Sequence, residues 1–271
     1  MPNLVPNTAG PVPKSWRRVT EETRDRLSPE WRVSALSLVL SGLEANHTPG
    51  VLPLTGLCID VLLNAFSERD DFEQLLLPSI PLHLRYVLQR YTAIYAPLST
   101  PRLRALVGQA GHINGELIVV GPNANLGRDA IVLKRPDLQI QSANALQDWE
   151  ADDPFLDSFE LQTLALVSVD LSFQTLHSLP RSLTRLALVD ISTPFQIFGL
   201  PTLCPAIAIL DLSFNSWLNC SAERSRAILG RVNWDGWTEL GVLGLRGCPV
   251  HQDTLDQVNQ SRWVDVQILL S

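Results

Sequence analysis

One phrase, L-x-x-L-x-L, returns through residues 161–271 and narrows the folds open to that half of the chain. It reads Leu161-Gln-Thr-Leu164-Ala-Leu166, Leu183-Thr-Arg-Leu186-Ala-Leu188, Ile207-Ala-Ile-Leu210-Asp-Leu212 and Leu240-Gly-Val-Leu243-Gly-Leu245. A fainter fifth copy is Trp263-Val-Asp-Val266-Gln-Ile268. Successive copies start 22, 24, 33 and 23 residues apart. One such unit cannot bury its own apolar face, so the period implies units stacked on one shared core. Side chains alternate along a strand, so the leucines point inward and the residues between them outward. The outward set is Thr163, Ala165 and Val167; Arg185, Ala187 and Val189; Ile209, Asp211 and Ser213; Val242, Gly244 and Arg246; and Asp265, Gln267 and Leu269.

The segments that follow the strands carry further apolar residues, Leu171, Leu176 and Leu179, then Phe195, Phe198, Leu200 and Leu203. Ser182, Pro201 and Pro205 punctuate the turns. The third interval is too long for one unit. Its extra residues, Trp217 to Trp237, hold three Trp and an Arg-rich patch, Arg224, Arg226 and Arg231. They predict a helix over Ser221 to Val232, pinned to the core by Trp234 and Trp237; the other reading is a functional loop.

These units resemble the leucine-rich repeat family. The family sets Asn or Cys three residues beyond the last leucine, where it satisfies backbone groups. Asn215 after Leu212 and Cys248 after Leu245 match, whereas Val169 and Ile191 stand there in the first two units. The run Cys248 to Leu255 resembles the cysteine-containing subtype common in F-box proteins. The resemblance implies an α/β solenoid with a parallel strand face, and a face of that kind binds protein.

The residues before the repeats divide into three stretches. Residues 1–27, rich in Pro, Arg and Glu, read as a flexible lead-in, and 28–107 as a helical region. Within it Leu82 to Tyr91 is amphipathic, introduced by Pro78 and Pro81 and ended by Pro97 and Pro101. Residues 108–160 combine a predicted β-hairpin cap, Glu116 to Gly121 and Ala130 to Lys134, with an acidic stretch from 136 that lacks Lys and Arg. That stretch reads as a solvated loop, or as a docking segment for a basic partner.

Composition limits the function. A net charge of −7 argues against nucleic acid, which needs clustered cations. No apolar run approaches a membrane span, and Met1 to Asn7 lacks the basic and apolar regions of a signal peptide. A cytoplasmic or nuclear protein is expected, with Cys58, Cys204, Cys220 and Cys248 as reduced thiols. No phosphate loop, nucleophile elbow or paired metal ligands appear, and Cys248 with His251 lacks the two further ligands zinc needs. No enzyme, cofactor or metal is expected.

What remains is the outward strand face. Its candidate partner-binding residues are Thr163, Arg185, Val189, Ile209, Asp211, Ser213, Val242, Arg246, Asp265 and Gln267. The face is either open to a protein partner or partly covered by the chain's own N-terminal region. The expected function is a non-catalytic protein–protein interaction module. The alternative is an F-box-type substrate receptor whose helical region grips a ubiquitin-ligase adaptor; Leu52-Pro53 and Leu77-Pro78 are loose candidates for the opening of an F-box.

Overall fold

The computed structural model describes residues 28–40, 54–125, 160–219, 221–260 and 262–270. Its centre is a six-stranded sheet, all parallel and in chain order: β1 Glu116–Val120, β2 Thr163–Val167, β3 Arg185–Val189, β4 Ile209–Asp211, β5 Val242–Gly244 and β6 Gln267–Leu269. The middle leucines stand in one row, Leu117 beside Leu164, then Leu186, Leu210, Leu243 and Ile268. Among the described residues the α-helices of five residues or more are α1 Pro29–Leu36, α2 Leu54–Ala65, α3 Leu82–Tyr95, α4 Thr100–Val107, α5 Phe173–His177, α6 Ala222–Leu229 and α7 Gln252–Asn259.

Strand alternation divides the apolar residues between two cores. Leu117, Val119, Leu164, Leu166, Leu186, Leu188, Leu210 and Leu243 enter the larger one. Ile118, Val120, Ala165, Val167, Ala187 and Val189 enter a second core on the opposite face. A parallel sheet covered on both sides explains why β2 reads as an almost unbroken apolar run, Thr-Leu-Ala-Leu-Val.

Short helices return the chain over the larger core. Ser172 and Ser221 start α5 and α6 by accepting from the backbone N–H of Thr175 and Arg224. Leu176, Leu200, Leu229 and Val258 pack inward from these returns. The long third interval is filled by α6 and by Trp217, Trp234 and Trp237, all buried. Trp237 Nε1 donates to the Cys204 carbonyl at 2.8 Å, so the largest side chain in the core has its polar atom satisfied.

The turn after each strand also repeats. Ser168, Asp190, Phe214 and Gly247 adopt positive φ (53°, 53°, 61° and 70°), each four residues past its unit's middle leucine. Three of these are not glycine, and that conformation is unfavourable for them. The stack holds it: Ser168, Asp190 and Phe214 donate their N–H to Val189, Ser213 and Arg246 carbonyls at 3.0, 3.2 and 2.7 Å. Asn215 seals the turns beside it. Its Nδ2 donates to Leu188 and Leu212 carbonyls at 2.8 and 2.7 Å, and its Oδ1 accepts from Ile191 N at 2.8 Å. Ile191, one of the two departures from the family pattern, thus borrows its acceptor from the next unit.

Three sequence expectations change. Glu116–Val120, read as one arm of a hairpin, is a strand of the parallel sheet and pairs with β2 from Glu116↔Thr163 to Val120↔Val167. It lies at the end of the sheet where a cap was expected. The fifth copy is shifted by two residues: Ile268, not Val266, joins the middle-leucine row, and Trp263 is fully exposed. A two-residue shift preserves which face each side chain takes, so the outward assignments of Asp265, Gln267 and Leu269 survive it. Finally, Pro101 lies in the first turn of α4, where its missing N–H costs nothing, and so begins a helix rather than ending one. The lead-in 1–27, Leu52-Pro53, the run Ala130–Lys134 and the acidic stretch to residue 159 lie outside the described residues.

Candidate functional site

Ser28, Pro29 and Glu30 make a helix start, with Ser28 Oγ accepting from Trp31 N at 3.2 Å. Past α1 the chain turns tightly, Val39 and Leu40 both donating to the Leu36 carbonyl at 3.2 and 3.0 Å. That places Ala35, Leu36, Val39 and Leu40 together against the strand face, where they meet Ala165, Val167, Ala187 and Val189. Ala93 and Ile94 of α3 complete this second core. Alanine at 165 and 187 leaves room for the leucines. Arg32 adds a polar tie by donating to the Ile94 carbonyl.

A charged cluster fixes the other end of α1. Asp211 of β4 is fully buried and pairs with Arg246, whose Nη2 donates to Asp211 Oδ2 at 2.7 Å. Asp211 Oδ1 accepts from the N–H and hydroxyl of Ser213, and that hydroxyl oxygen accepts from Arg246 Nε at 3.3 Å. The remaining amino group, Nη1, reaches the Ser34 carbonyl at 2.6 Å and Ser37 Oγ at 3.3 Å. Arg185 Nη1 makes a longer contact, 3.4 Å, to the Val39 carbonyl. Gly244 lies between these parts: a Cβ there would collide with the Asp211 carboxylate and sit 2.7 Å from Leu38 Cδ2. A buried ion pair of this kind needs its remaining donors satisfied, and here the carbonyl-bearing end of a helix supplies the acceptors.

Beside the cluster lies a cleft of about 500 Å³, lined by Glu30, Val33, Ser34, Ser37, Phe214, Arg246 and Gly247. Trp31 stacks at a tilt on Phe214, 5.9 Å between centroids, and the Arg246 guanidinium lies 5.6 Å from the same ring. Sequence reasoning found Arg246 here and missed the rest, because no local pattern joins residues 30–37 to residues 214–247.

The strand face is therefore only partly open. Thr163, Val189, Asp211, Ser213 and Arg246 are buried, and the reading of these five as partner-binding surface is corrected: Val189 packs the second core, Asp211, Ser213 and Arg246 hold α1, and Thr163 stands between Glu116 and Arg185 in the sheet. Arg185, Ile209 and Val242 are half-buried, and Asp265 and Gln267 are exposed. These five remain accessible, and four of them lie toward the β6 end.

Arg246 spends its donors on Asp211, Ser213, Ser34 and Ser37, which leaves little for an added anion. Burial pushes the Cys204 thiol up to about 12 and that of Cys248 up to about 11, so both are protonated and poorly nucleophilic at neutral pH. Among the described residues, no group of three His, Cys, Asp or Glu could hold a metal ion, and no helix is long and apolar enough to cross a membrane.

In comparison with known proteins, no family model, no curated protein and no solved structure matches the chain.

Proposed function

We propose that the chain is a non-catalytic protein-interaction module of the leucine-rich-repeat type, holding a protein partner on the β4–β6 end of its strand face. The observation that carries this reading is the partial cover on that face. Residues 28–40 fill it over β2 and β3 and reach Gly244 of β5 through Leu38, while Ile209 and Val242 stay half-exposed and Asp265 and Gln267 exposed. The surface mixes aliphatic and polar groups and adjoins a cleft with an aromatic wall, a composition suited to a protein ligand.

The test is capture of partners by the tagged chain from its native cells, with Val242→Arg and Gln267→Arg run beside it. Both substitutions fall on accessible positions, so melting should change little. One stoichiometric partner bound by the parent and lost from both variants supports the reading. An unchanged set of captured proteins overturns it. Near-equal recovery of a ubiquitin-ligase adaptor and cullin, indifferent to both substitutions, would put the F-box-type receptor in its place.

A further inference from the structure

Helix α2, Leu-Thr-Gly-Leu-Cys-Ile-Asp-Val-Leu-Leu-Asn-Ala, is apolar around almost its whole circumference. Gly56 and Leu63 are buried and Ile59 packs against the larger core, which accounts for one face. On the opposite face Leu54, Leu57, Cys58, Val61, Leu62 and Ala65 recur at helical spacing and are all exposed. Leu54 is 76% exposed and Val61 67%. Helices apolar on every side are ordinarily covered on every side, and single exposed leucines are common where a continuous stripe is not.

The surrounding charge distinguishes among occupants. Between Leu54 and Ile80 five exposed carboxylates, Asp60, Glu68, Asp70, Asp71 and Glu73, stand against one cation of the segment, Arg69, and against Arg102 of α4, which donates to the Phe66 and Ser67 carbonyls. Arg69 lies 4.0 Å from Glu73, in an exposed contact that leaves the others unneutralised by it. Asp60 flanks the stripe on α2 itself, its Oδ2 accepting from Asn64 at 3.3 Å. A second copy docked across a two-fold axis would bring Asp60 toward Asp60 and one acidic segment toward the other. An anionic lipid surface would meet the same repulsion.

We infer that the exposed stripe of α2 is a docking surface for an amphipathic helix of another protein, one whose apolar face is flanked by Lys and Arg. The apolar residues supply the area, and the carboxylates select the basic flank and speed its approach. This surface lies on the helical region and is separate from the strand face.

The test uses the full chain and three synthetic helical peptides: a leucine stripe flanked by arginine, the same stripe flanked by glutamate, and the arginine peptide with serine in place of leucine. The arginine-flanked peptide should bind about tenfold tighter than either control. Its binding should weaken on going from low to physiological salt, and it should be lost in Leu57→Glu and in Val61→Glu. Both side chains are exposed, so thermal melts of the variants should match the parent and certify that they fold. Peptide-mapped alkylation of Cys58, which sits in the stripe, should slow when the peptide is bound. Equal binding of the glutamate peptide, or binding indifferent to both substitutions, overturns the inference. A dimer of the chain alone that dissociates on Val61→Glu would give the surface to a second copy and likewise overturn it.

Discussion

Asp211 and Arg246 form the most consequential pair in the molecule because neither can be removed alone. Asp211→Ala leaves a guanidinium buried beside two serines and a helix end, and should cost about 3–5 kcal/mol by urea denaturation. Asp211→Ala with Arg246→Met should cost less than that single change, because no buried charge is then unpaired. Leu210, one residue away and pointing to the other core, should lose about 2–5 kcal/mol as Leu210→Ala. Arg185→Ala should change melting little, since its contact to Val39 is long and half exposed. His112 contributes a pH dependence. Burial lowers its pKa below 6.5, and its Nδ1 accepts from Gly115 N at 3.2 Å, which requires the neutral ring. The unfolded chain therefore takes up the proton first as pH falls. The stability from His112 is complete above 6.5, declines below it, and levels off once the folded form protonates as well. Urea midpoints of the parent and of His112→Gln should accordingly converge as pH is lowered through that window.

At the scale of elements, α1 with the turn to Leu40 covers β2 and β3 and is tied to β4 and β5 through the Asp211–Arg246 pair and Gly244. Leu36→Ala should destabilise by about 2–5 kcal/mol, although the residue belongs to none of the repeated units. Gly244→Ala should act on the same contact from below, by driving a methyl into Asp211 and Leu38. The strands themselves were legible in the sequence: the spacing of Leu164, Leu166, Leu186 and Leu188 assigns their inward direction, and Asn215 and Trp237 take the places their chemistry predicts. The cover was not legible as a site. Its contacts join Ser34 and Ser37 to Arg246 across 212 and 209 positions, and a short apolar helix carries no mark of what it packs against. β1 escaped the repeat count because Asn114 stands where its first leucine should be. The shift of β6 escaped because a period of two looks the same when moved by two.

At the scale of the whole molecule, every strand pairs with its neighbour in chain order, and the contacts of α1 span almost the entire described chain. These two facts set an order of events in time. Loops of one unit close cheaply, so neighbouring strands can assemble early, whereas residues 28–40 have nothing to settle on until β2 through β5 stand side by side. The cover should therefore arrive after the rate-limiting step of folding. Stopped-flow measurements on Leu36→Ala should find refolding as fast as in the parent and unfolding accelerated, while Leu186→Ala, in the middle of the sheet, should slow refolding. The lifetime of the folded chain, as distinct from its speed of formation, would then depend on how firmly Arg246 holds a helix made near the chain's beginning.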